Sequence, residues 1–316
     1  MQLTLALRVQ AVPEQRKGFI YGFTAYLMWG LFPLYWRLLD RSGAIELLAH
    51  RVIWSLLTIA ALVAVLRKFG QVKALLRQPR KRWALMGAAL LISVNWGTYI
   101  FGVINGHVVE TSLGYFITPL FAVFLGVVVL KERLRPAQWV ALAIAFAAVL
   151  GLAIENGRPP WIAIILTFSW GFYGLVKKKA DAGAIEGMAV ESATVVPLAI
   201  AALVVLGVQG QSTVTHGGTG YFILVLLTGP LTAVPLLFFG AAATRTSLTT
   251  LGLLNYVAPI LQFICGVTLF HEHMSPMRWA GFGLVWLALA IFTFDGLRKR
   301  RRTIALERAA LATSGV

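Results

Sequence analysis

The sequence predicts an all-α membrane protein of ten transmembrane helices, built as two inverted five-helix repeats, and three observations carry that prediction. The first is apolarity: of 316 residues, 59% are hydrophobic and 13% are charged, outside the range of ordinary water-soluble domains. The second is an internal repeat. LGYFITPLFAVFLGVVVLKERLRPAQW from Leu113 returns as LGLLNYVAPILQFICGVTLFHEHMSPMRW from Leu251, and Pro119, Glu132, Pro136 and Trp139 map at constant spacing onto Pro259, Glu272, Pro276 and Trp279. The third is parity. Each copy holds five long apolar segments, and a unit that crosses a bilayer an odd number of times must re-enter upside down, as transporter repeats do.

A bilayer asks for about 20 apolar residues per helix, and ten stretches qualify. The first half places spans at 19–39, 45–66, 83–104, 109–130 and 137–154, the second at 160–176, 185–206, 219–241, 248–270 and 277–297. Spans 1 and 6 share the echo of MWGLFPLYWRLLD after Leu27 in SWGFYGLVKKKAD after Phe168. Spans 2 and 7 share the openings IELLAHRVIW and IEGMAVESA, and spans 4 and 9 carry the long repeat. Spans 3, 5, 6 and 10 begin at Trp83, Trp139, Trp161 and Trp279, as an interfacial aromatic belt expects. Pro33, Pro119, Pro197, Pro230, Pro235 and Pro259 lie in or near span interiors, where proline frees a carbonyl and bends a helix. The matched Pro119 and Pro259 are therefore read as gating kinks. Soluble helices alternate polar and apolar faces and these hardly do, which argues against a large soluble bundle.

This divides the chain into a segment 1–18, a first repeat 19–154, a second repeat 160–297 and a basic tail 298–316. The net charge of +16 follows the same topology. With the N-terminus cytoplasmic, inner segments hold 23 of the 28 Lys and Arg, among them Lys131, Arg133, Lys177, Lys178, Lys179 and Arg245. Outer ends keep Arg37, Arg41, Arg158 and Arg278. That is the positive-inside pattern, so both termini are expected in the cytoplasm, and a nucleic-acid partner is not. The inner basic loops suit anionic lipid headgroups. The LTLAL stretch within residues 1–17 is too short for a signal-peptide core, so the first span is expected to direct insertion. Cys265 is the sole cysteine and reads as an apolar filler.

No Walker-type GxxxxGK[ST] is present, and the two histidines of HEH at 271–273 would point to different sides of a helix. HEH is read as a polar turn ending span 9, and no cofactor or metal is expected. QGQSTVTHGGTG at 209–220 reads as one flexible outer loop.

The informative residues are polar groups inside spans, each expensive in lipid. Glu46, His50 and Trp54 recur every four residues on one face of span 2. Arg51 lies roughly 9 Å past the span boundary at 1.5 Å per residue. It either receives an anionic part of a solute or ties span 2 to backbone carbonyls. Glu191 holds the corresponding place in span 7, as a proton-coupling site or a paired structural carboxylate. Inversion sets the two charges about 12 Å apart in depth in a core of about 30 Å, so separate partners are expected. His50 is the second proton-coupling candidate, or a hydrogen-bonded structural histidine. Asn95, Trp96, Tyr99, Tyr115, Trp170, Asn255 and Gln262, with His50, Arg51, Trp54 and Glu191, are the candidates to line an aromatic-walled cavity for a small-molecule solute.

AHRVIWS from Ala49, NWGTYIFGVINGHVVETSLGYFI from Asn95 and the KERL run from Lys131 resemble the EamA domain of the drug/metabolite transporter superfamily, closest to RarD-type permeases. The resemblance covers about residues 17–297 and implies a ten-helix inner-membrane permease that moves small organic solutes by alternating access. His50, Arg51, Asn95, Trp96, Tyr99, Glu110 and Tyr115 fall within the family's characteristic strings. Span 7 departs from them, with Val190-Glu191 where span 2 has His50-Arg51. The expected function is a permease for a metabolite or drug-like solute, with the halves rocking about a central cavity. A membrane enzyme using His50, Glu46 and HEH as acid and base is the first alternative, but no nucleophile–base pair is discernible. A non-transporting sensor is the second, and no soluble output domain is discernible for it.

Overall fold

The computed structural model describes residues 2–130, 135–155, 157–180, 182–214, 216–243, 245 and 248–313. Glu132, the repeat mate of Glu272, lies outside the described residues with Lys131 and Arg133. All regular structure among the described residues is helical: α1 (Gln2–Arg37), α2 (Ala44–Val65), α3 (Phe69–Leu76), α4 (Pro79–Ile104), α5 (Val108–Leu130) and α6 (Pro136–Glu155). The second half continues with α7 (Trp161–Ala180), α8 (Ala184–Val208), α9 (Gly218–Ala243), α10 (Leu248–Leu254), α11 (Val257–Ile264) and α12 (Pro276–Thr313). Only helices let apolar segments of this length satisfy their own backbone groups in lipid. Proline opens α4, α6 and α12, where its missing N–H costs nothing. Among the described residues, six helices are long and apolar enough to cross a membrane: Ala44–Val65, Pro79–Ile104, Pro136–Ile154, Ala184–Val208, Gly218–Ala242 and Pro276–Arg298.

Three features differ from expectation. The loop after α2 contains α3, whose Leu75 is buried against Leu85, Ala180 and Val190. That apolar seat turns a charged connection into a docked helical turn. Arg67, before α3, adopts φ 54°, and Lys68 N donates to Val63 O at 2.8 Å in the manner of a Schellman cap. The predicted span 248–270 is broken between α10 and α11. Pro259 has no N–H to offer the Asn255 carbonyl, and Tyr256 N instead donates to Leu253 O at 3.3 Å, a tight turn. A π-helical turn at Cys265–Leu269 follows. The matched Pro119 leaves α5 continuous, so identical prolines give a break in one copy and none in the other. Finally, α1 and α12 run past their predicted spans, α12 through the basic RKRRR run.

The chain forms two compact units, residues 1–115 with 162–272 and residues 116–161 with 273–316. In the first, α2 packs on α8 and α9, and α1 on α9 and α11. Ala49, Val52, Ala89, Val195 and Ala199 form one buried cluster, and Ile59, Val63, Met188 and Ala233 another. With lipid tails as apolar as the side chains, close packing rather than water exclusion holds such helices together. Small residues set the separation. A Cβ on Gly229 would lie 2.6 Å from the Trp54 carbonyl carbon, and one on Gly114 2.9 Å from Ala163 O. The second unit is built on α6 against α12. Gly281 admits Leu152, Phe116 meets Phe282 and Trp286 edge-on, and Arg135 pairs with Asp295 at 2.7 Å.

Candidate functional site

The polar residues of the first unit begin at the ends of its helices. Glu46, in the first turn of α2, is buried yet fully engaged. Ser212 Oγ donates to it at 2.8 Å, Thr213 N at 3.0 Å, Thr213 Oγ1 at 2.6 Å and Val214 N at 3.2 Å. Ser42 and Tyr221 extend this network, with Tyr221 Oη donating to Leu39 O at 3.0 Å. The 209–220 segment is therefore anchored rather than free, a correction to its reading as a flexible loop. Glu186, the repeat mate in the first turn of α8, accepts from Lys68 Nζ at 2.6 Å. Each first-turn carboxylate thus holds the chain that follows the other helix. Local geometry requires that α2 and α8 run antiparallel.

Two further glutamates cap helices. Glu110 accepts from Ile162 N at 3.0 Å, at the start of α7. In the HEH turn, His271 takes φ 52° and Glu272 accepts from Val108 N and Val109 N at the start of α5. A carboxylate there satisfies orphan amides and opposes the positive helix end.

Deeper in the unit, Arg51 on α2 is buried. Its Nε donates to Thr232 Oγ1 of α9 at 3.0 Å. Its guanidinium lies 4.0 Å from the Trp96 ring centroid and 5.3 Å from that of Trp36. The bond to a hydroxyl replaces the expected tie to backbone carbonyls. Along the same face of α4, Asn95 Nδ2 donates to Leu166 O at 3.1 Å and Ser169 Oγ at 3.0 Å. Tyr115 Oη donates to Asn95 Oδ1 at 3.0 Å. Tyr115 also stands 5.8 Å from Tyr99 and edge-on to Trp170 at 6.3 Å, and Trp170 is 5.6 Å from Tyr173. The ring chain ends on Glu191, which accepts from Tyr173 Oη at 3.0 Å and from Lys177 Nζ at 2.6 Å. Gly187 stands one turn before Glu191, and a Cβ there would lie 2.6 Å from Lys177 Nζ. The missing side chain leaves room for the ammonium to cross.

Arg51, Asn95, Trp96, Tyr99, Tyr115, Trp170 and Glu191 thus form one seam drawn from both halves of the chain. Arg51 and Glu191 have separate partners, Thr232 for the first and Lys177 with Tyr173 for the second. The other candidates stand apart. Trp54 packs edge-on to Phe222 at 5.9 Å. Gln262 Nε2 donates to Trp29 O at 3.2 Å, tying α11 to α1. Asn255 marks the turn between α10 and α11. His50 is half-buried and makes no hydrogen bond with a described residue. Thr232, Trp36, Ser169 and Lys177 were missed. Nothing local distinguishes the first three, and Lys177 reads as one of three inner-surface lysines. Gly187 one turn from Glu191 was the available clue.

The profile of the EamA-like transporter family matches residues 16–154 and again residues 159–294. The chain is 54% identical to Protein RarD of Streptomyces exfoliatus over 305 residues, covering 96% of this chain and 97% of that protein. It is 41% identical to an uncharacterized transporter of Pseudomonas aeruginosa, over 92% of this chain and 98% of that one. Protein RarD of Escherichia coli is 39% identical over the same shares. A solved crystal structure of a protein covers 88% of this chain and 97% of its own, with a TM-score of 0.58 at 19% identity. That likeness concerns the fold alone.

Proposed function

This chain belongs to the EamA-like transporter family, and on that premise we propose that it is a permease moving a small organic solute across the bacterial cytoplasmic membrane by alternating access. Membership makes it a multi-pass membrane transporter. The solute and the mechanism are the proposal. The observation that carries it is the seam from Arg51 to Glu191: charged and hydrogen-bonding groups set among aromatic rings inside apolar helices, where no lipid-facing or purely structural helix needs them. The relatives named as transporters support the same reading. So does the reciprocal hold of Glu46 and Glu186, which fits two five-helix repeats related by inversion, with ten crossings and both termini cytoplasmic.

Proton coupling is assigned to Glu191 rather than His50, because Glu191 joins the seam through Tyr173 while His50 touches no partner in it. Protonation of Glu191 releases Lys177, so one proton changes two contacts. The test is counterflow and uptake in proteoliposomes across a panel of organic acids, amines, amino acids, nucleosides and drugs, over a range of pH. Flux of at least one solute that depends on the protein is expected, with a pH dependence that disappears in Glu191→Gln and persists in His50→Gln. Silence on every solute would sink the transport reading, and unchanged pH dependence in Glu191→Gln would sink the coupling assignment.

A further inference from the structure

We propose that Arg51 and its neighbours receive the anionic head of the solute, a carboxylate carried on an apolar or aromatic body; this rests on the transport reading above. The argument starts from charge. Arg51 is 4% exposed, and no carboxylate among the described residues lies within 4.0 Å of it. The buried glutamates of this unit among the described residues are taken up elsewhere: Glu46 by the 212–214 segment, Glu186 by Lys68 and Glu191 by Lys177. A buried cation without a counter-charge is costly unless something supplies one.

Hydrogen bonding points the same way. Among the described residues, only Thr232 accepts from Arg51, through Nε. Stacking on Trp96 leaves the two terminal nitrogens, the fork that matches a carboxylate edge, without a hydrogen bond to a described residue. Among the described residues of this unit the buried side-chain polar atoms without a hydrogen-bond partner are Trp36 Nε1, Trp54 Nε1, Ser55 Oγ, Tyr99 Oη and Gln262 Oε1. Four of these five can donate. Trp36 lies under the guanidinium, Ser55 follows Arg51 by one turn of α2, and Tyr99 follows Trp96 by about one turn of α4. The one orphan atom that can only accept, Gln262 Oε1, belongs to the contact with α1, while the Ser55 and Tyr99 hydroxyls can turn a proton toward an anion. A cluster rich in donors and poor in acceptors complements an anion and repels a cation. The rings of Tyr99, Tyr115 and Trp170 continue from it and offer an apolar wall for the rest of the molecule.

A purely structural Arg51, bracing α2 against α9 through Thr232, makes the opposite prediction, so matched acids and amides separate the two. The probes are phenylacetate against phenylacetamide and hexanoate against hexanamide. Each is titrated onto the purified full chain and followed by thermal stability and tryptophan fluorescence, which reports the ring beneath the guanidinium. Wild type should bind the acids at least about tenfold more tightly than the amides, the effect of one charge-assisted contact. Arg51→Gln should abolish that preference and Arg51→Lys retain part of it. Tyr99→Phe removes a hydroxyl with no partner, so it should melt no lower than wild type and still bind the acids several-fold more weakly. Equal binding of acid and amide, a preference that survives Arg51→Gln, or no response to either acid overturns the proposal. Flux of the same probes in proteoliposomes separates the two claims. Acid binding without flux of any solute keeps the anion site and rejects transport, while flux confined to neutral or cationic solutes keeps transport and rejects the anion site.

Discussion

Removing the ammonium from the Lys177–Glu191 pair should destabilise the protein far more than removing both charges. The two atoms lie 2.6 Å apart, with side chains 23% and 6% exposed. At an effective dielectric of about 20 their direct attraction is about 6 kcal/mol, and the desolvation of both ions offsets much of it. Lys177→Met strands a buried carboxylate with Tyr173 as its remaining donor. Glu191→Gln keeps an acceptor for Tyr173 but strands the ammonium. Each single change should cost about 3–5 kcal/mol, the usual range for breaking a buried pair. The double variant buries no net charge and should cost only about 1–2 kcal/mol. The coupling energy is then at least about 4 kcal/mol, well above the additivity error of about 0.5 kcal/mol for independent sites. Reversible unfolding in mixed micelles, with the four proteins compared at one detergent composition, measures it. If the two single costs simply add in the double variant, the pair is not coupled and the reasoning from its burial is wrong.

Three further outcomes follow from the packing. Gly229→Ala places a Cβ 2.6 Å from the Trp54 carbonyl carbon, which is backbone and cannot swing aside, so α2 and α9 must part at a cost of about 3 kcal/mol. Gly240→Ala on the same helix meets nothing within 4 Å and should be neutral or slightly stabilising in the same unfolding assay. Glu46→Ala strips the acceptor from Ser212, Thr213 and Val214 together, and should both lower the melting temperature and open the 209–220 segment to protease, whereas Glu186→Ala should leave that segment resistant. Arg67→Gly relieves a non-glycine residue held at φ 54° and should raise stability by up to about 1 kcal/mol; a fall beyond that size contradicts the cap geometry.

The helices were legible because their signal is local: apolar length, interfacial tryptophan and a repeat that places each segment twice. The break in span 9 was half legible. Pro259 marked it, but the matched Pro119 leaves its helix unbroken, so the difference arises from surroundings that spacing does not encode. The candidate site divides the same way. Asn95, Trp96 and Tyr99 share one helix face and could be grouped from their numbers alone. The residues that complete the seam could not, since Thr232 meets Arg51 across 181 positions and Ser169 meets Asn95 across 74. Charge position misled in one instance: Lys177 counted as an inner-surface cation, yet it folds back along α7 to reach a carboxylate in the next helix. The glutamates at 46, 110 and 272 were visible as polar groups near span ends, but their roles as anchors and caps exist only once distant backbone amides arrive.

The exchange between Glu46 and Glu186 has a consequence for how the gene can be cut. Neither half possesses its own fastening: the first supplies the hook for residues 212–214 and the second the hook for Lys68. Residues 1–156 or 157–316 made alone should leave a glutamate with nothing to grasp, and the two fragments produced together should rescue one another. By the same logic, two identical halves facing opposite ways would close the two hooks as one symmetric bond made twice, and the serine–threonine and lysine ends are where the present halves depart from that symmetry.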